Sequence, residues 1–269
     1  MFILVSVIIS LGILFVMYRY SRQQQHKLER RYQLIVHLRD LVNLIRQHRS
    51  ITHFALMSPY KKNRQIDKVE QEIDLHCQDL IQLAHFNNKP MYRVLHNNIA
   101  LLIRSWKRSN VNKNQMIHGK MVRHTLLLID ELIVAWLVDL EQEELELTYS
   151  EIWHGVIDCL DCLTQFRMCI QNSDTTMGKQ QLLHYCHVMQ RKMNRLSVKR
   201  SCAVVRVPMR SAAMNTIDDM LAHPEKPIDK EAMYQLSSTL SDNIFQTYDE
   251  CIGELAETLY LPLPKTAVV

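Results

Sequence analysis

The chain has 269 residues, a net charge of +4 and seven cysteines. An odd number of cysteines without a regular framework favours free thiols in a reducing compartment over a disulfide scaffold. The basic clusters lack interleaved aromatic residues or a recognised module, so nucleic acid is not an expected partner. Glycine and proline are scarce, at 5 and 7 residues, and alternating strand patterns are absent. The composition therefore predicts an all-α protein.

An uncharged apolar segment, Phe2–Tyr18, opens the sequence. As a helix it would cover about 25 Å, the short end of the range for a bilayer core of about 30 Å. A cleaved signal peptide is the alternative, but no basic residue precedes the segment and no small-residue cleavage site follows it. Basic residues follow instead, beginning at Arg19. We therefore expect residues 1–21 to form a transmembrane helix with its basic flank, and the positive-inside rule places the remainder in the cytoplasm.

Apolar residues after the anchor recur at intervals of three and four, the pattern of amphipathic helices. A second apolar block, Leu126–Leu140, contains three acidic residues. Because acidic residues are costly in a membrane, we expect this block to be a buried bundle helix. Ser150 and Asp229 are expected N-caps. The expected helices cover residues 19–57, 63–86, 91–107, 115–146, 150–171, 179–198, 210–222 and 229–259.

Two stretches of the sequence are similar to each other. Leu41–Thr52 aligns with Cys159–Ile170 with coincident apolar positions, and the triplet QHR at 47–49 falls on QFR at 165–167. Chance is the alternative, because any two amphipathic helices share apolar spacing. A true repeat predicts about eight helices in two related helical bundles.

The expected domain organisation follows from this repeat. Residues 22–262 would form one helical sensor-like region, with the two bundles divided near residue 147. Residues 263–269 would form a tail.

One arginine in each half lies near the apolar face of its helix. Arg49 follows Ile45 by four residues, and Arg167 follows Leu163 by four, so each shares a helix face with core positions. A buried guanidinium needs an acceptor, because an unpaired buried charge is costly. The alternatives are a salt bridge to a neighbouring helix, a side chain that extends to water, or an anion held between helices by the guanidinium fork.

The segment Leu41–Thr52, and above all QHRSIT at 47–52, resembles the first-helix signature of bacterial nitrate- and nitrite-sensing domains. That signature reads Gln-x-Glu-Arg-Gly-x-Ser. The resemblance implies two helical bundles, with one arginine from each half near a nitrate or nitrite site at their interface. The anion ligands implied by the resemblance are Arg49 and Arg167, with Gln47, His48 and Gln165 as possible neighbours.

The sequence departs from the signature in ways that concern the ligand more than the fold. His48 stands in place of the glutamate, and Ser50 stands in place of the glycine. The second motif is reduced to residues 165–167. Another small anion could therefore replace nitrate, or binding could be lost.

The resemblance implies a membrane-anchored small-anion sensor that acts in signal transduction at the bacterial inner membrane. Family members feed an output module, and none is recognisable in this sequence. The expected partners are therefore nitrate or nitrite, the lipid bilayer, a separate protein output partner and a second copy of the chain as a homodimer. The alternative is a membrane-anchored helical scaffold or interaction protein with no small-molecule ligand.

One cysteine cluster was weighed as a metal site. Cys159 and Cys162, with Cys186 and His187, could supply four zinc ligands. However, the first two cysteines lie within a helix on a stripe of core positions, which favours buried thiols. No nucleophile, phosphate-loop, dinucleotide or metalloprotease motif is present. We therefore expect no enzyme activity, no cofactor and no metal.

Overall fold

The computed structural model describes residues 2–57, 64–199 and 207–259, and it defines side chains in 10–57, 64–197 and 212–259. Throughout these ranges the regular structure is helical, so the expected all-α class is confirmed. Two short 3-10 turns precede and follow the third helix. The α-helices are α1 (Phe2–Met57), α2 (Arg64–Leu83), α3 (Lys89–Ser105), α4 (Val111–Asp139), α5 (Glu143–Ile170), α6 (Thr176–Lys199), α7 (Val207–Ala222) and α8 (Lys230–Thr258).

The helices pack in two sets of four. α1 contacts α2 and α4, and α3 completes the first set by packing on both α2 and α4. α5 contacts α6 and α8 in the same way, and α7 completes the second set. The α4–α5 contact and side-chain pairs between α1 and α8 join the two sets.

The core is formed by the apolar stripes that the sequence spacing indicates. On α2 the stripe runs from Ile66 through Ile73 to Leu80, and these side chains are at most 7% exposed. Burial of each large apolar side chain contributes about 1.5–3 kcal/mol. Between α5 and α8, the hydroxyl groups of the buried Tyr149 and Tyr248 lie 3.3 Å apart. The second set of helices is therefore centred on a large aromatic contact.

The expected helix of residues 115–146 is wrong in its C-terminal part. α4 ends at Asp139, and α5 already begins at Glu143. Glu141 between them adopts a φ of 54°, which ends a right-handed helix. The acidic residues after it suit the positive end of a helix dipole, so they start α5 rather than end α4.

The two expected N-caps have different outcomes. Ser150 lies inside α5, so its assignment as an N-cap is wrong. Asp229 is confirmed, because its Oδ1 accepts a hydrogen bond of 2.9 Å from the backbone N–H of Glu231. The acidic stretch before Ser150 extends its helix by two turns, which the serine signal could not indicate.

α1 continues without a break from Phe2 to Met57. In the part of the chain that the structure describes, no helix is both long enough and apolar enough to cross a membrane, so the expected transmembrane helix is not supported. The side chains of residues 2–9 lie outside the described set. Beyond them, Leu11, Phe15 and Tyr18 are 60%, 59% and 62% exposed. The expected tail, 263–269, also lies outside the described residues.

We expect Asp229→Ala to lower the free energy of unfolding by about 1 kcal/mol, because the first turn of α8 loses its cap. Ser150→Ala is the matched control and should change stability by less than about 0.5 kcal/mol. Urea denaturation of both variants measures the difference. An equal loss in Ser150→Ala would show that the helix start is misplaced.

Candidate functional site

Pairs of arginine and aspartate connect α1 to α8. Arg39 donates from Nε to Asp249 Oδ1 over 2.9 Å. Two turns further along α1, Arg46 pairs with Asp242 and lies over the ring of Phe245 at 4.1 Å. The partner numbers rise along α1 and fall along α8. The two helices are therefore antiparallel at this contact, and their charges are in register.

The register continues past Arg46, but α8 then presents hydroxyl groups in place of carboxylates. Arg49 comes next on α1 and is only 9% exposed. Within the described part of the chain, its guanidinium has no hydrogen bond and no ion pair. The corresponding stretch of α8 carries Ser237, Ser238 and Ser241. Arg49 is thus a largely buried cation whose donors form no hydrogen bond within the described part of the chain.

Arg167 enters the same region from α5 and is 5% exposed. Its Nε donates to Ser237 Oγ over 3.0 Å, and its Nη2 donates to the Ser237 carbonyl over 2.9 Å. The Ser237 hydroxyl donates in turn to the carbonyl of Tyr234. Both acceptors of Arg167 are neutral. They orient the guanidinium without neutralising its charge.

The charge of Arg49 reaches Arg167, so the two guanidinium groups belong to one electrostatic environment. Burial and the charge of Arg46, opposed by the attraction of Asp242, together lower the pKa of Arg49 to about 9. Burial lowers the pKa of Arg167 well below its ordinary value, and the charges of Arg49 and Arg46 add to this effect. A guanidinium keeps its proton in proteins. Three cations therefore share one carboxylate, that of Asp242.

A buried histidine lies beside both arginines. Burial, together with the charges of Arg167 and Arg49, lowers the pKa of His53 to about 4, so the ring is neutral at pH 7. The ring centroid lies 4.1 Å from that of Tyr234 on α8. From α4, Gln115 Nε2 lies 3.2 Å from His53 Nδ1. The arginine site is therefore built where α1, α4, α5 and α8 meet.

The other expected neighbours occupy different places. Gln47 is half-buried, and Gln165 is exposed to solvent on α5. His48 is fully buried, but it contacts His118 at 2.9 Å and Glu70 at 3.2 Å, on the side of α1 that faces α4 and α2. Of the expected set, Arg49 and Arg167 are the pair that the fold brings together.

Sequence analysis did not identify the residues of α4 and α8 at this site. One signal was available, since Arg39 and Arg46 repeat at seven residues and Asp242 and Asp249 repeat likewise. Two such rows can pair when helices run antiparallel. The remaining contributors missed from the sequence are Gln115, Tyr234, Ser237, Ser241 and Gln171, whose Nε2 donates to the Tyr234 hydroxyl.

Two cavities in the described part of the chain lie away from the arginine site. One cavity of about 160 Å³ lies between α2 and α3, and another of about 390 Å³ lies near Phe86. Neither Arg49 nor Arg167 lines them.

The cysteine cluster has the character of core packing. Cys159, Cys162 and Cys186 are buried, and burial raises the pKa of Cys162 to about 11 and that of Cys186 to about 12. His187 is exposed. Over the ranges with defined side chains, no three histidine, cysteine or acidic residues are arranged to hold a metal ion. The alternative of a zinc site therefore has no structural support.

Comparison of this chain with protein-family models, with characterised proteins and with solved structures finds no match. The resemblance to nitrate- and nitrite-sensing domains remains an expectation from a short motif. The function has to be argued from the arginine site itself.

We expect Arg49→Met to raise the midpoint of thermal unfolding. This change removes an unpaired buried charge and its repulsion of Arg167. The measurement uses a low-salt buffer whose anion is too large to bind between the arginines. Arg39→Met is the matched control, and it should lower stability by about 1–2 kcal/mol because Asp249 loses a charged hydrogen bond. If both variants lose the same stability, Arg49 has an acceptor within the protein and the site is already neutralised.

Proposed function

We propose that this protein binds a small oxyanion, nitrate or nitrite, between Arg49 and Arg167 and acts as an anion sensor. The observation that carries this proposal is a pair of buried guanidinium groups at the junction of four helices. Among the described residues neither forms an ion pair, and the charge of Asp242, which pairs with Arg46, acts on both.

Hydrogen-bond chemistry supports a planar oxyanion as the ligand. A guanidinium presents five N–H donors in one plane, and a planar oxyanion can accept two of them side by side. Arg167 uses Nε and one Nη2 bond on Ser237, while the donors of Arg49 are unused. Ser241 Oγ is buried without a hydrogen-bond partner and lies on the same part of α8. A bound anion would balance the charge of Arg49 as the carboxylate of Asp242 balances that of Arg46.

Repulsion between the arginines provides a route from binding to signalling. Without an anion, two like charges oppose the close approach of α1 and α5. A bound anion replaces this repulsion by attraction to both helices. A ligand shifts a conformational equilibrium only as far as it prefers one packing, and here the preferred packing brings the two sets of helices together. A separate output protein or a second copy of the chain would detect that change.

Membrane attachment is the second part of the proposal. Leu14, Val16 and Met17 are 62%, 66% and 63% exposed, on several sides of the first part of α1. Exposed apolar surface of this kind indicates contact with a lipid or protein partner. Arg19 lies over the ring of Phe15 at the polar boundary, as in interfacial anchors. We infer a single-pass anchor in a bacterial inner membrane, with the helical sets on the cytoplasmic side.

We expect nitrate to stabilise the full-length protein against heat at constant ionic strength, and Arg49→Met to abolish this effect. A ligand at 100 times its dissociation constant stabilises the folded state by about 2.7 kcal/mol. Arg123→Gln is the matched control, because Arg123 is an exposed arginine that pairs with Asp161. Its response to nitrate should equal that of the unmodified protein. Calorimetric titration with nitrate and nitrite gives the affinity.

Two outcomes of this experiment would contradict the anion proposal. A folded protein that responds to neither anion would favour the helical scaffold without a ligand. A response that survives Arg49→Met would place the anion at another site.

We expect the full-length protein to float with liposomes in a density gradient, and Leu14→Glu to reduce the floating fraction. A carboxylate inside a bilayer costs about 3 kcal/mol. Leu101→Glu is the matched control, since Leu101 is 65% exposed on α3, and it should float like the unmodified protein. Equal flotation of all three proteins would contradict attachment through α1.

A further inference from the structure

A chain of buried polar side chains crosses the first set of helices, separate from the arginine site. His118 on α4 lies 2.9 Å from His48 on α1, measured between Nε2 and Nδ1. His48 Nε2 lies 3.2 Å from Glu70 Oε1 on α2. Trp106 Nε1 donates to the same Glu70 oxygen over 3.0 Å. Both histidines are fully buried.

The hydrogen bonds of His118 to Asn114 and to His48 determine which ring nitrogens carry protons. His118 Nδ1 lies 2.8 Å from the carbonyl oxygen of Asn114, which can only accept, so this nitrogen carries a proton. Burial and the charges of neighbouring groups lower the pKa of His118 to about 3, so the ring is neutral and its Nε2 is an acceptor. His48 must then donate from Nδ1.

The contact between His48 Nε2 and Glu70 Oε1 has no proton to share when the imidazole is neutral and the carboxylate is charged. With its proton on Nδ1, a neutral His48 presents a lone pair at Nε2. That lone pair faces a carboxylate oxygen, which is also an acceptor. The hydrogen bond from Trp106 holds this oxygen in place. One further proton turns two opposed acceptors into a hydrogen bond.

We propose that His48 and Glu70 form a buried acid-sensing site, which takes up one proton between Nε2 on α1 and Oε1 on α2. The added proton makes Nε2 of His48 a donor to Oε1 of Glu70.

Solvent reaches this pair from one side. The cavity of about 160 Å³ between α2 and α3 is lined by Glu70, and also by Asp74 and His96, which pair with each other. The Glu70 side chain is 21% exposed, whereas that of His48 is 0% exposed. A proton can therefore enter through the cavity at Glu70 without any opening of the core.

The groups around His48 determine the pH range of uptake. Burial lowers the pKa of His48, and the hydrogen bond and charge of Glu70 oppose this effect. Glu70 faces the ring from α2, the neutral His118 faces it from α4, and the Trp106 ring lies edge-on at 6.2 Å. Arg49 is the neighbouring charge along α1. The site therefore fills on acidification, below the ordinary histidine range near 6.5.

The lowered pKa of His48 also determines how global stability depends on pH. A histidine whose pKa is lowered by folding binds fewer protons in the folded than in the unfolded state between the two pKa values. This contribution to stability is complete above pH 6.5 and is lost as the pH falls through the folded pKa.

Titration of the full-length protein by nitrogen-15 NMR tests the proposal. The indole N–H of Trp106, assigned with Trp106→Phe, reports on the Glu70 oxygen, and the imidazole nitrogens of His48 report on the ring. We expect both signals to shift with one common midpoint. Glu70→Gln should abolish the Trp106 transition, because its amide donates to His48 Nε2 without a titrating proton. Asp74→Asn removes the neighbouring carboxylate of the same cavity and should keep the transition.

Three results would overturn the proposal: different midpoints for Trp106 and His48, a Trp106 transition that survives Glu70→Gln, or no transition of either signal between about pH 4 and 8. If Glu70→Gln does not fold, His48→Gln makes the same test, since a glutamine amide donates to Glu70 without titrating. Loss of the Trp106 transition in that variant supports the shared site, and its retention overturns it.

Discussion

Two buried guanidinium groups that share the distant charge of Asp242 and form no ion pair among the described residues are the constraint on which the junction of this fold depends. Arg49 and Arg167 come from different sets of helices, and each is less than 10% exposed. Burial removes their hydration, and their mutual repulsion adds to that cost. Ser237 holds one of them through neutral oxygens. The nearby pairs of Arg39 and Arg46 with aspartates keep α1 against α8 despite this repulsion.

The two proposed sites use neighbouring sides of one helix, because consecutive residues lie about 100° apart around a helix axis. Arg49 faces the junction with α5 and α8, while the residue before it, His48, faces α2 and α4. A charge added on either side therefore acts on the position of α1. Since α1 also continues into the exposed apolar segment around Phe15, a displacement at its buried end has a direct path along a continuous helix.

Local periodicity was sufficient to predict much of this arrangement. The apolar stripes gave the class and most helix positions, and the place of Arg49 and Arg167 on such stripes correctly indicated burial. These features follow from the spacing of apolar residues three or four positions apart on one helix face, and this spacing can be seen in the sequence.

Features set by long-range pairing could not be predicted in this way. The partners of His48 lie on two other helices, so its contacts with His118 and Glu70 could not be predicted from its own helix. The turn at Glu141 depends on one left-handed residue within an acidic run that suits a helix interior equally well. The serines of α8 carry no signal of their own, because their role follows from the arginine that reaches them.

The most direct test of the central claim is a crystal structure of the protein grown in bromide, with the anion located by its anomalous scattering. Bromide has the charge of nitrate and a comparable size, and it accepts the same N–H donors. The account predicts a bromide ion within hydrogen-bond distance of both Arg49 and Arg167. Bromide at surface sites alone, with the space between these two guanidinium groups filled by protein side chains, would contradict it.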